Sequence, residues 1–111
     1  MDVRLADSGS PFAVGPAIEL AGYRLVQEGL TNVVKHAGPH VRVAVAVQWT
    51  SDALTVEVSD DGVGRAADVP GIGAGLQGLG ERVTAAGGTF DSAPLDPGFR
   101  VRARFPKDGL S

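Results

Sequence analysis

Val41-Arg42-Val43-Ala44-Val45-Ala46-Val47-Gln48 alternates a branched aliphatic with a small or polar residue, and Leu54-Thr55-Val56-Glu57-Val58-Ser59-Asp60 soon alternates again. Strict period two is the mark of strands that turn one face to a core and the other to water. Ser51-Asp52 lies between the runs as a turn signal, so the two are predicted to pair as an antiparallel hairpin. In the second run Leu54, Val56, Val58 and Asp60 share a parity, which aims the Asp60 carboxylate toward the core side. Such a carboxylate is costly unless something hydrogen-bonds to it, and no basic residue adjoins it in sequence. A ligand bearing N–H donors, such as the exocyclic amine of adenine, would satisfy it. A strand that frays one residue early, leaving Asp60 in a turn with Asp61-Gly62, fits the same pattern.

Upstream of the hairpin, Pro16 suits the first turn of a helix. Leu20, Val26, Leu30, Val33, Val34 and Ala37 then recur at helical spacing and are predicted as its apolar face, with Gly38-Pro39 as the stop. Glu28, Asn32 and His36 follow one another at intervals of four, and Lys35 lies three beyond Asn32. Those intervals gather a carboxylate, a carboxamide, an ammonium and an imidazole on one side of the helix. Taken alone, the stripe also describes an ordinary solvated face. Asp2 to Ala6 reads as a short edge strand and Ser8 to Pro16 as a loop.

Downstream, Asp61 to Gly75 holds five glycines and Pro70 and few large apolar residues. Arg65 to Ala74 is read as a mobile loop. Leu76 to Ala86 is predicted as a second helix, halted by Gly87-Gly88. Thr89 to Ser92 and Phe99 to Phe105 form a last hairpin across Ala93 to Gly98. This order gives an α+β fold, a two-layer sandwich with helices on one face of a mostly antiparallel sheet, in a single domain spanning 1–111.

At 111 residues and 43% hydrophobic content the chain supports one core without covalent staples. It has no cysteine, which removes disulfides and thiolate metal sites. The net charge of −3, with dispersed Lys and Arg, argues against a nucleic-acid surface. No apolar run is long enough to span a bilayer and no signal peptide is visible, so no membrane contact by this segment is expected. Gly73, Gly75 and Gly78 fit G-x-G-x-x-G just before a helix, where backbone N–H groups can approach phosphates. The dinucleotide form of that motif needs a preceding strand in a parallel unit, and neither that nor a Walker lysine is present. By itself the segment is equally a flexible linker.

Three stretches together resemble the Bergerat-fold ATPases shared by histidine kinases, DNA gyrase and MutL. Gln27-Glu28-Gly29-Leu30-Thr31-Asn32-Val33-Val34-Lys35-His36-Ala37 is similar to their N box. Asp60-Asp61-Gly62-Val63-Gly64 resembles their D-x-G-x-G box, and Gly73 to Gly78 with Leu79-Gly80-Glu81-Arg82-Val83 resembles their second glycine box. Order and spacing agree from Ile18 to Pro106, and the wording is most similar to sensor kinases of the nitrate-sensor group.

The resemblance implies ATP and Mg²⁺ as ligands. It implies that Asn32 coordinates the metal, that Glu28 orients water or acts as a base, and that Lys35 lies near phosphate oxygens. Asp60 would accept from the adenine amine, with Gly62 and Gly64 passing close to the base. Gly73, Gly75, Leu76 and Gly78 would shape the lid and the phosphate-facing helix start. His36 would be structural or a phosphate neighbour, not a phosphoacceptor. The resemblance departs at Asp61, where the family usually has Asn, which leaves the contact made there open. His36 and His40 are the chain's only histidines. The expected partners are therefore ATP, a separate dimerisation and phosphoacceptor domain missing from this chain, and indirectly a response regulator, in the cytoplasm. Self-phosphorylation by this segment is not expected. A free-standing serine kinase of the anti-sigma-factor type, or a silent nucleotide-binding module, shares the same boxes.

Overall fold

The computed structural model describes residues 2–36, 40–62 and 72–107. The elements are β1 (Asp2–Ser8), α1 (Pro16–His36), β2 (Arg42–Trp49), β3 (Ala53–Asp60), α2 (Ile72–Ala85), β4 (Thr89–Pro94) and β5 (Phe99–Pro106). One sheet carries all five strands in the order β1-β2-β3-β5-β4. The β2–β3, β3–β5 and β4–β5 pairs are antiparallel, and β1 joins β2 in parallel. Both predicted hairpins are present, and β3 is central.

Alternation along the strands builds the core. Val43 and Val45 on β2, Leu54, Val56 and Val58 on β3, and Val101, Ala103 and Phe105 on β5 are all buried. Each branched or aromatic side chain removed from water there contributes about 1.5–3 kcal/mol. The opposite residues face away from the helices and are polar or small: Arg42, Ala44, Ala46 and Gln48 on β2, Thr55, Glu57 and Ser59 on β3, and Arg100, Arg102 and Arg104 on β5. Arg102 donates from Nε and Nη2 to Asp91 Oδ2 at 3.2 and 2.9 Å, and Arg100 pairs with Asp91 and Glu57. The β1 residues are all exposed, as an edge strand with no helix above it would be.

Helix α1 lies over β3 and β5, and α2 lies over β4 beside α1. Gly15 precedes Pro16, and its carbonyl accepts from the Ile18 and Glu19 N–H groups at 3.2 and 3.1 Å. Glu19 adds a favourable charge to the first turn. The buried stripe of α1 is Ile18, Ala21, Leu25, Asn32 and Val33. This corrects the predicted apolar face, since Leu20 is 44% and Val34 68% exposed. Small residues mark the true contact line. At Gly29 an added Cβ would stand 2.9–3.1 Å from the side chain of Val58, so the helix sits almost backbone-on against β3. The true face joins the large aliphatics Ile18, Leu25 and Val33 to Ala21 and Gly29, a line rotated away from Leu20 and Val34.

Helix α2 begins at Ile72, four residues before the predicted start, so Gly73 and Gly75 belong to its first turn and not to a loop. Each helical glycine costs about 1 kcal/mol relative to Ala, which is why the segment reads as a breaker. Leu76, Leu79 and Val83, at spacings of three and four, carry the buried face. Of the predicted mobile loop, residues 65–71 lie outside the described residues, as does Ala37.

The Gly29→Ala substitution is expected to push α1 off β3 and to cost about 1–3 kcal/mol. Urea unfolding of the two proteins measures it, and an unchanged midpoint would contradict the close approach.

Candidate functional site

Two buried polar side chains stand out against this apolar interior, Asn32 and Asp60, each 6% exposed. Asp60 is the last residue of β3 and is held in the ladder on both sides, opposite Val43 on β2 and Phe99 on β5. The strand therefore does not fray early, and the carboxylate faces inward as its parity predicted. Oδ1 accepts the Gly62 N–H at 2.9 Å, a buried turn-forming bond two residues on. Asp60 thus belongs to the strand and also shapes the turn that follows it.

Asn32 comes to the same place from α1. Its Nδ2 is buried without a hydrogen-bond partner. A buried donor left unmade costs roughly 1–3 kcal/mol, a penalty that a bound polar ligand would relieve. Asn32 and Asp60 line one small cavity together with Gly29, Val33, Val58, Phe99 and Val101. Its volume of ≈ 10 Å³ is room for about one water. A larger apolar groove of ≈ 610 Å³ runs along the first half of α1 past Phe12, Tyr23 and Trp49. No buried polar side chain lines it, so the chemistry points to the smaller cavity.

The other sequence-selected residues fall around this centre unevenly. Glu28 is half-buried on α1, one turn before Asn32, and Lys35 is exposed near the helix end. The backbone of His36 closes α1, while its side chain and Gly64 lie outside the described residues. Gly62 is buried beside Asp60. Gly73 and Gly75 are in the first turn of α2, Leu76 is buried, and Gly78 is exposed on the second turn. The described residues contain no group of three or more His, Cys, Asp or Glu gathered as a metal cage. No helix among them is long and apolar enough to cross a membrane.

Sequence reasoning left Asp61 open and passed over Phe99. Asp61 Oδ1 accepts the Arg42 N–H at 2.7 Å, and the Asp61 N–H donates to the Arg42 carbonyl at 3.1 Å. It therefore extends the β2–β3 ladder one step past Asp60 and holds that strand end in place. Only a cross-strand register reveals this contact. Phe99 reaches the cavity because β5 pairs with β3, and no local motif announces it.

Residues 17–109 match the model of the family described as histidine kinase-, DNA gyrase B-, and HSP90-like ATPases. The oxygen sensor histidine kinase NreB of Staphylococcus carnosus is 43% identical over 76 residues, 67% of this chain and 22% of that protein. The signal transduction histidine-protein kinase/phosphatase UhpB of Salmonella typhimurium is 40% identical over 87 residues, 77% of this chain and 17% of that one. The chain thus spans about a fifth of the length of the curated relatives it matches. In fold it is similar to the histidine kinase domain of the Erythrobacter litoralis EL346 blue-light activated histidine kinase. The TM-score is 0.77 at 22% identity, covering 97% of this chain and 56% of that one.

The Asp61 contact is expected to survive in Asp61→Asn, which keeps the acceptor, and to be lost in Asp61→Ala at a cost of roughly 0.5–1.5 kcal/mol. Equal denaturation midpoints for the two variants would show that the bond contributes nothing.

Proposed function

The chain belongs to the histidine kinase-, DNA gyrase B-, and HSP90-like ATPase family, and from that premise we propose that it is the ATP-binding catalytic domain of a sensor histidine kinase. It positions Mg-ATP for phosphoryl transfer to a histidine on a separate dimerisation domain. The observation that carries this reading is the convergence on one cavity of a buried carboxylate and a buried carboxamide whose Nδ2 has no hydrogen-bond partner. Relatives whose names make them sensor histidine kinases favour it over a serine kinase of the anti-sigma-factor type.

In this reading Asp60 accepts a hydrogen bond from the adenine amine, with its other duty, the Gly62 N–H, already discharged. Gly62 and Gly64 let the chain run close to the base. The Asn32 carboxamide oxygen would hold Mg²⁺, a cation that takes few protein ligands and is otherwise met by phosphate and water oxygens. When bound, the metal offsets negative charge on the phosphates. Lys35 adds a positive charge near the phosphates, and His36 is structural or a phosphate neighbour. Gly73, Gly75, Leu76 and Gly78 form the start of α2, whose N–H groups and dipole favour phosphate oxygens.

The transfer breaks the bond from the γ-phosphorus to the β–γ bridging oxygen and forms a bond from that phosphorus to an imidazole nitrogen. ADP leaves with the bridging electrons. Glu28, half-buried one turn before Asn32, takes the imidazole N–H proton. The phosphoryl group then passes to a response regulator. Such a domain works in the cytoplasm, where ATP is supplied.

Asp60→Asn is expected to keep the fold, because Asn Oδ1 can still accept from Gly62, and to weaken ATP binding about tenfold or more. Asn32→Ala is expected to abolish the dependence of ATP affinity on Mg²⁺. Calorimetric titration with a non-hydrolysable ATP analogue, with and without the metal, reads both. Unaltered affinity in the first variant, or an equal metal effect in the second, sinks the corresponding assignment.

A further inference from the structure

Directly across the ladder from Asp60 stands Phe99, on the side of β5 that carries Val101, Ala103 and Phe105 into the core. Those three are buried, whereas Phe99 is half-buried. It packs against the core cluster and also lines the cavity that Asn32 and Asp60 share. Its root is fixed. Gly98 has φ of 107°, and a Cβ there would collide with the Asp60 carbonyl oxygen, so only glycine lets β5 begin this close to the end of β3. The Leu95 N–H donates to the Gly98 carbonyl at 2.8 Å and closes the turn behind it.

The space beside the Asp60 carboxylate is shared with Phe99, its cross-strand neighbour. A purine that donates its exocyclic amine to Asp60 brings its ring beside Phe99, which lines the same space. There a flat apolar surface needs a cover, and Phe99 is the aromatic residue among the described lining residues. We infer that Phe99 is the base-stacking residue of the nucleotide site. Its ring lies against the purine whose amine Asp60 holds, and it fixes the plane of the base before the phosphates are set. This inference rests on the nucleotide reading above and adds a binding residue that none of the sequence motifs contains.

Stacking of a base on an aromatic side chain changes affinity by roughly 5- to 100-fold on truncation. Phe99→Leu keeps apolar bulk but no π face and is expected to weaken ATP binding by that factor. Phe99→Trp is expected to stay within about twofold of the parent. A second readout is independent of any variant. Saturating phenylalanine ring protons in the parent protein is expected to transfer to adenine H2 and H8, and no other phenylalanine among the described residues lines the cavity. A folded Phe99→Leu protein that binds ATP as tightly as the parent, or a parent complex with no such transfer, overturns the inference and leaves the nucleotide reading standing. A folded parent that binds no purine nucleotide overturns both.

Discussion

Everything in the site depends on how closely α1 can approach β3. The helix supplies Asn32 and the strand supplies Asp60, and the two reach one cavity because Gly29 rests against Val58 with no side chain between them. A side chain at position 29 would separate the two groups by its own thickness. Close approach also makes the interior dry, which raises the cost of an unsatisfied amide and strengthens whatever hydrogen bond finally meets it.

Around these two buried polar groups the core of the described residues is built from apolar side chains. Phe105, Leu25, Val33, Val43 and Val83 are fully buried. The Gly62 N–H satisfies one oxygen of Asp60, and Asp61 extends the ladder beyond it, so the strand end is held by backbone before any ligand arrives. That is preorganisation in the strict sense, with an acceptor aimed inward at no further cost in ordering. Across the sheet, the Arg100, Arg102, Asp91 and Glu57 cluster sits on the helix-free face and plays no part in the cavity. The two faces of the same strands are thereby assigned to different duties by residue parity alone.

Much of this was legible in the residues themselves. Period two in Val41–Gln48 and Leu54–Asp60 revealed the hairpin and the inward carboxylate, because a strand offers a side chain only two directions. What stayed hidden had physical reasons. The sheet-facing line of α1 runs through Ile18, Ala21, Leu25, Gly29 and Val33, so of the expected apolar face Val33 is buried while Leu20 and Val34 are exposed. The small residues Ala21 and Gly29 blur the helical period that would have fixed the frame. The first turn of α2 is helical despite Gly73 and Gly75, where propensity alone argues for a loop. Asp61 and Phe99 owe their places to cross-strand register, a relation between distant segments that no local pattern encodes.

The strand order carries a consequence for how such a domain emerges from the ribosome. The β3 strand leaves the exit tunnel with β2 as its neighbour, but its other flank belongs to β5, the last strand of the sheet to be made. Until then the nascent chain holds a two-stranded ribbon and its edge strand, with Asp60 on an open border. Non-local pairing of this kind is slow, because loop closure precedes its reward. Synthesis halted before Phe99 would leave the Asp60 end of β3 without the strand that covers its second flank.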